Sequence, residues 1–137
     1  MYGAILGDII GSPFEFDRGD KTKEFDLFTK GCDFTDDSVM TIAVGEALLA
    51  VGPQATIKEI EEAVVTNMQD WGGRYPHAGY GGKFRHWLKE KNPKPYGSYG
   101  NGSAMRVSAA GWLYDSMERT REVARATAVS YTHLRAH

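Results

Sequence analysis

Two helical periods set end to end, with a clean stop between them, constrain this chain more than any other feature. From Asp36 to Val51 the apolar residues Met40, Ala43, Val44, Ala47, Leu48 and Val51 recur at helical spacing, which predicts an amphipathic helix. Gly52-Pro53 ends it, because glycine relieves the C-cap and proline cannot continue the helix. Thr56 and Glu59 form a capping box that opens a second helix, in which Ile57, Ile60, Val64, Met68 and Trp71 line one face. Gly72-Gly73 stops that helix. No stretch alternates at strand period over a useful length, and no segment repeats, so the expected class is all-α.

The flanking segments extend the same pattern. Residues 2–11 predict a short buried helix whose Gly3, Gly7 and Gly11 lie on one strip, a spacing that admits a second backbone at close range. Residues 12–34 carry no sustained period and read as a polar and aromatic loop. Within the loop-rich stretch 72–102, a short helix is expected from Lys83 to Lys91, carrying Phe84, Trp87 and Leu88. A further helix is predicted from Ser103 to Met117, with Val107, Trp112 and Leu113 buried, and Thr120 is expected to cap a last helix from Arg121 to Val129. Trp71, Trp87 and Trp112 all fall on apolar faces and are expected in the core. The long glycine-bearing loops, including 71–77 and Gly79-Tyr80-Gly81-Gly82, are expected to gather on one side, over a cleft or as plain surface.

Bulk properties narrow the function. A chain of 137 residues makes one domain, and a formal charge of −2 gives no electrostatic basis for binding nucleic acid or an anionic membrane. No apolar run approaches the ~20 residues of a membrane span. The start, MYGAILGDIIG, lacks a basic leader and carries Asp8 in its apolar stretch, so it is not read as a signal peptide. The single cysteine, Cys32, cannot form an internal disulfide and has no His or Asp arrangement suggesting a nucleophile. The expected setting is the cytoplasm.

Three constellations carry candidate chemistry. Phe34-Thr35-Asp36-Asp37-Ser38 opens the first strong helix. Helix capping accounts for a Thr and one Asp there, but two adjacent carboxylates exceed what a cap requires, and they repel unless a cation lies between them. A hydroxyl with two carboxylates is a hard oxygen set suited to Mg²⁺, Mn²⁺ or Ca²⁺ rather than zinc. Tyr99-Gly100-Asn101-Gly102-Ser103-Ala104-Met105-Arg106 begins another expected helix, reading either as a capped turn or as a place where backbone N–H groups approach a phosphate. The third is Gly3-x-x-x-Gly7-Asp8-x-x-Gly11, followed by Pro13-Phe14-Glu15-Phe16; close helix packing with a surface acid is its simpler reading.

In their order and spacing, Gly7-Asp8-x-x-Gly11 with Glu15, Thr35-Asp36-Asp37-Ser38, and Gly100-Asn101-Gly102-Ser103-Ala104-Met105-Arg106 resemble the ADP-ribosylglycohydrolase family, of the dinitrogenase-reductase-activating glycohydrolase type. The resemblance covers residues 1–129, as the N-terminal part of a single, truncated domain, and residues 130–137 are expected to leave the family pattern. It implies an all-α fold with a two-metal magnesium or manganese site in a cleft that holds ADP-ribose. By that resemblance Thr35, Asp36 and Asp37 are metal ligands, and Glu15 lies at the site mouth. Gly100, Asn101, Gly102, Ser103, Ala104 and Met105 line the substrate pocket, and Asp8 is a structural or outer acid. The implied substrate is an ADP-ribosylated protein or a small ADP-ribose conjugate, cleaved at the anomeric carbon with Asp36 or Glu15 taking a proton from water.

Two octahedral cations require about twelve oxygen positions, water and substrate included. The family draws further ligands from a later Asp-x-Asp-Thr/Ser motif, which this sequence does not contain. An inactive fragment is therefore expected, with a catalytically inactive ADP-ribose-binding module or a non-functional helical remnant as the alternative. His133 and His137, four apart, could share a helical face, though a frayed terminus is the simpler reading.

Overall fold

The computed structural model describes residues 1–15 and 22–131. The His133 and His137 pair therefore lies outside the described residues, as do Phe16 and most of the 130–137 tail. Seven α-helices are described: α1 (Tyr2–Gly11), α2 (Asp36–Val51), α3 (Ile57–Arg74), α4 (Gly82–Trp87), α5 (Gly102–Met105), α6 (Ala110–Leu113) and α7 (Met117–Ala126). Single 3-10 turns follow α1 (Ser12–Phe14) and α5 (Val107–Ala109), and there is no strand among the described residues. The fold is all-α. None of the described helices is long and apolar enough to cross a membrane.

Helix α2 is the centre of the fold rather than a surface element. It packs against α1, α3, α5, α6 and the 3-10 turn at Val107–Ala109. The expected stripe is buried except for half-buried Val51, but so are Ser38, Val39, Thr41 and Gly45, leaving Glu46, Leu49 and Ala50 exposed. Small and weakly polar residues permit this: Thr41 donates its hydroxyl to Met105 O at 3.2 Å, tying α2 to α5. Gly52 ends α2 at φ +80°, with its N–H on Leu48 O.

Helix α3 is the truly amphipathic element. Ile60, Val64 and Met68 are fully buried against α2, while Ile57 and Trp71 are half-buried. The capping box at Thr56 and Glu59 forms as the spacing predicts: Glu59 N–H donates to the Thr56 hydroxyl at 3.3 Å and Thr56 N–H to Glu59 at 2.7 Å. The helix runs through Gly72-Gly73 to Arg74, because the side-chain-free Gly72 accommodates Leu88: a Cβ there would lie 2.8 Å from Leu88 Cδ1.

Four further expectations are corrected. No residue of α1 is buried, and nothing lies within 4 Å of where a Cβ would stand at Gly3, Gly7 or Gly11, so the strip faces open space among the described residues. The single helix expected over Ser103–Met117 is divided: α5 ends at Arg106, a 3-10 turn over Val107–Ala109 leads into α6, and Tyr114, extended at φ −126° and ψ 137°, stops the run; Trp112 ends up 77% exposed. The last helix starts earlier than Thr120, because the Ser116 hydroxyl accepts Arg119 N–H at 3.1 Å and caps Met117–Ala126. Helix α4 is also shorter than expected, ending at Trp87, whose indole N–H donates to Lys94 O.

Candidate functional site

Asp8, on the last turns of α1, anchors the start of α2. Its carboxylate accepts the Thr35 hydroxyl at 2.6 Å, the Thr35 N–H at 2.8 Å and the Ser38 N–H at 3.0 Å. Thr35 is also the N-cap, its hydroxyl accepting Asp37 N–H at 3.3 Å. A carboxylate on the free N–H groups of a sixteen-residue helix satisfies donors and complements the helix dipole. The Ser12 hydroxyl adds a second tie, donating to Ile9 O and accepting Asp33 N–H, each at 3.0 Å. Together these bonds fold the turn that carries Glu15 back toward the start of α2.

Asp8, Glu15 and Asp37 each offer a carboxylate oxygen within 4.8 Å of the others, all half-buried. This is a hard oxygen set that fits Mg²⁺ or Mn²⁺, since such cations accept carboxylate ligands and retain water in the remaining positions. Electrostatics point the same way. Burial first, then Asp37, Glu15 and Asp8, push the Asp36 carboxyl up to about 6, against its own backbone hydrogen bond. Burial and then Asp8 raise Asp37 as well. Four acids crowd one another, and a divalent cation relieves that repulsion.

Asp36 lies at the junction of this cluster and a cavity of about 390 Å³. The cavity is walled by the start of α4, the Tyr96–Gly102 loop, Met105, Arg106 and the Ser130-Tyr131 turn. Gly79, at φ +105°, passes against Asp36, with a Cβ there 3.4 Å from Asp36 Oδ1. Tyr131 secures the glycine loop: its hydroxyl donates to Gly100 O at 2.6 Å and accepts Ser103 N–H at 3.3 Å. A larger cleft of about 640 Å³, between α3, the Lys91–Pro95 segment and the end of α7, contains none of the clustered acids.

The sequence-selected residues distribute unevenly over this arrangement. Gly100, Asn101, Gly102 and Met105 line the cavity; Ser103 reaches Tyr131 instead, and Ala104 is exposed and outside the wall. Asp37 and Glu15 come together with Asp8 in the acidic trio. Thr35 stands beside the trio with its hydroxyl on Asp8. Tyr99 and Arg106, at the two ends of the glycine-rich constellation, are also in the cavity wall, whereas sequence reasoning passed over Tyr96, Gly97 and Ser98 beside them. A signal was present in Gly97, which takes φ +65°. Helix α5 has only four residues, too short for a helix-dipole argument at Gly100–Ser103.

Comparison with known proteins agrees with this geometry. The family profile described as ADP-ribosylglycohydrolase matches residues 1–137. The chain is 32% identical to the human protein ADP-ribosylhydrolase ARH3 (Homo sapiens) over 157 aligned positions, covering 93% of this chain and 42% of that relative. It therefore spans less than half of the relative's length. No solved structure matches it significantly. An acidic cluster at the start of a buried helix, a glycine-lined cavity beside it and a match along the whole chain lead to one assignment: this chain belongs to the ADP-ribosylglycohydrolase family.

Proposed function

We propose that this chain carries the acidic cation site and the ADP-ribose pocket of a metal-dependent hydrolase that cleaves the glycosidic bond between ADP-ribose and a protein side chain or small acceptor. The observation that carries this reading is the position of Asp36, whose carboxylate belongs both to the crowd formed with Asp8, Glu15 and Asp37 and to the cavity wall. A reacting ribose held there would have its anomeric carbon beside acids and its diphosphate along the Tyr96–Gly102 backbone.

In this reading Asp8, Glu15 and Asp37 hold a divalent cation, with Thr35 beside them. When bound, Mg²⁺ or Mn²⁺ supplies Lewis acidity and a fixed point for the ribose hydroxyls. Glycosidic cleavage builds positive charge on the ribose ring, and the surrounding carboxylates stabilise it. Asp36, held half-buried with a raised affinity for protons, takes a proton from the attacking water. Glycines at 97, 100 and 102 leave stretches of bare backbone in the pocket wall, where a ligand can approach closely.

A second reading is a module that binds ADP-ribose without turning it over. Three clustered carboxylates supply a fraction of the roughly twelve oxygen positions of a two-metal site. Calorimetric titration of the 137-residue chain with ADP-ribose, with and without Mg²⁺, combined with an assay on ADP-ribosylated protein, separates the two. Binding with Mg²⁺-dependent release of ADP-ribose supports the hydrolase. Binding without release supports the module, and no binding in either condition rejects both.

A further inference from the structure

The end of α3 and the residue before Thr35 build an aromatic rim on the acidic site. Phe34 directly precedes the α2 N-cap, and its ring stands edge-on to Tyr75 with centres 5.5 Å apart. Tyr75 in turn stacks on Trp71 at 5.8 Å, the two planes 14° apart. From Tyr75 the chain turns through Ala78, whose N–H donates to Tyr75 O at 3.3 Å, and reaches Gly79 against Asp36. Two short tethers, residues 34–36 and 75–79, thus hold Phe34 and Tyr75 beside the same carboxylate. All three rings lie outside the cavity walled by the Tyr96–Gly102 loop.

Phe34 and Tyr75 are 41% and 40% exposed. Beyond Trp71 the rim runs into a shallow apolar trough of about 500 Å³ on the outer side of α2, where Ile42 and Leu49 flank the indole. The strip is acidic. Exposed Glu46 accepts the neutral indole N–H of Trp71 and keeps its charge, whereas Arg74, 5.1 Å from the Trp71 ring centre, is paired with Asp70. Rings and charge suit one occupant. The two ring steps, 5.5 and 5.8 Å, together match about three residues of extended chain at roughly 3.3 Å each, a length that a small acceptor lacks. Apolar side chains of such a segment pack on the ring faces, and a lysine or arginine in it meets Glu46.

We propose that the rim formed by Phe34, Tyr75 and Trp71 is a docking surface for the polypeptide that carries the ADP-ribose, with a preference for a basic residue near the modified side chain. The inference rests on the hydrolase reading only for the ADP-ribose on that polypeptide. It adds that the acceptor is a protein and that its own chain is recognised, apart from the nucleotide. Asp36 stands between the rim and the glycine-lined cavity, so the bond to be cut falls where the two surfaces meet.

The test is calorimetric titration of the 137-residue chain, Y75A and E46Q in MgCl₂ with three probes. These are ADP-ribose, an unmodified lysine-bearing peptide, and the same peptide carrying ADP-ribose through a hydrolysis-resistant linkage. The parent should bind the conjugate about tenfold more tightly than ADP-ribose, the worth of an aromatic contact with an exposed ion pair. Y75A should lose that advantage and keep its affinity for ADP-ribose. E46Q retains an oxygen for the Trp71 indole and should bind the conjugate about threefold more weakly, a loss that fades at high salt. Equal affinity of the parent for conjugate and ADP-ribose overturns the inference and leaves the hydrolase reading standing. A Y75A chain that keeps the advantage overturns it too, as does one that loses affinity for both ligands in equal measure, which marks Tyr75 as merely structural. A parent that binds peptide and conjugate alike but not ADP-ribose, and loses both in Y75A, keeps the inference and removes the ADP-ribose pocket. A parent that binds none of the three overturns the inference. Should Y75A lose its cooperative melt, F34A decides: a lost advantage for the conjugate supports the inference and a retained one overturns it.

Discussion

Asp8 holds Thr35 by two bonds at once, accepting its hydroxyl at 2.6 Å and its backbone N–H at 2.8 Å. One carboxylate thereby joins α1 to the start of α2 and stands within 4.8 Å of Glu15 and Asp37 oxygens. The bonds that order the start of α2 and the proposed cation site thus share a single side chain. Asp8→Ala should destabilise the metal-free chain by about 2 kcal/mol, since three hydrogen bonds to a half-exposed carboxylate are lost. It should also abolish the rise in melting temperature that Mg²⁺ gives the parent, an effect of about 2–3 kcal/mol when the ion is near a hundredfold above its Kd. Thermal melts with and without MgCl₂ check both. An Asp8→Ala chain that keeps its Mg²⁺ response refutes the cation site.

Asp36 answers to the opposite balance. Its carboxyl is raised to about 6 by burial and by neighbouring acids, so its ionised form works against the metal-free fold at neutral pH. Asp36→Asn removes that charge while keeping the shape. The metal-free variant should be more stable than the parent, by about 1 kcal/mol once the shift is discounted for solvent screening at a half-exposed site. In the same variant, Mg²⁺-dependent release of ADP-ribose should disappear. A variant no more stable than the parent, or one that still hydrolyses, contradicts the assignment.

These two residues also show what the sequence could and could not reveal. Local signals were readable: the Thr56–Glu59 box, the Asp36 start of α2 and its Gly52 stop all depend on neighbours a few positions apart. The pairing of Asp8 with Thr35 spans 27 positions and follows from how α1 crosses α2, which no local pattern encodes. The burial of α2 on most of its circumference has the same origin, because small residues such as Ala43, Gly45 and Ala47 accept neighbours on several sides. The sequence marks Arg106 as part of the glycine-rich motif but not its burial, because only the fold brings Thr127 and Ser130 within its reach.

The capping box gives a pH signature. Thr56 N–H and hydroxyl both donate to Glu59, and these bonds lower its carboxyl below the ordinary value of 4.5. A depressed folded value means the stabilisation is present above the unfolded value and is lost as pH falls through the folded one. Glu59→Gln should therefore be less stable than the parent at pH 7, with the gap closing as pH drops below 4.5. Thr56→Ala, which removes the cap itself, should cost about 1 kcal/mol. Urea melts across the acid range give the comparison; a Glu59→Gln deficit that persists undiminished in acid would exclude the carboxylate as its cause.

The three tryptophans supply a test of the fold independent of the site. All lie on faces that the sequence marks as apolar, yet their environments diverge. Trp87 is 1% exposed, packed against Phe84 at 5.5 Å and bonded through its indole to Lys94 O. Trp71 is half-buried, stacked on Tyr75 with its indole on Glu46. Trp112 is 77% exposed, on a four-residue α6 that a 3-10 turn separates from α5 and that ends at Leu113. Trp87→Ala should cost about 3–5 kcal/mol, as large-to-small changes in a close-packed core do. Trp112→Ser should stay within about 0.5 kcal/mol of the parent, the range of surface changes. Quenching of fluorescence by iodide should fall markedly in Trp112→Ser, whose remaining indoles are shielded. A Trp112→Ser chain as destabilised as Trp87→Ala would mean that Ser103–Met117 forms the single packed helix of the sequence pattern, and Arg106 would then lose its place in the cavity wall.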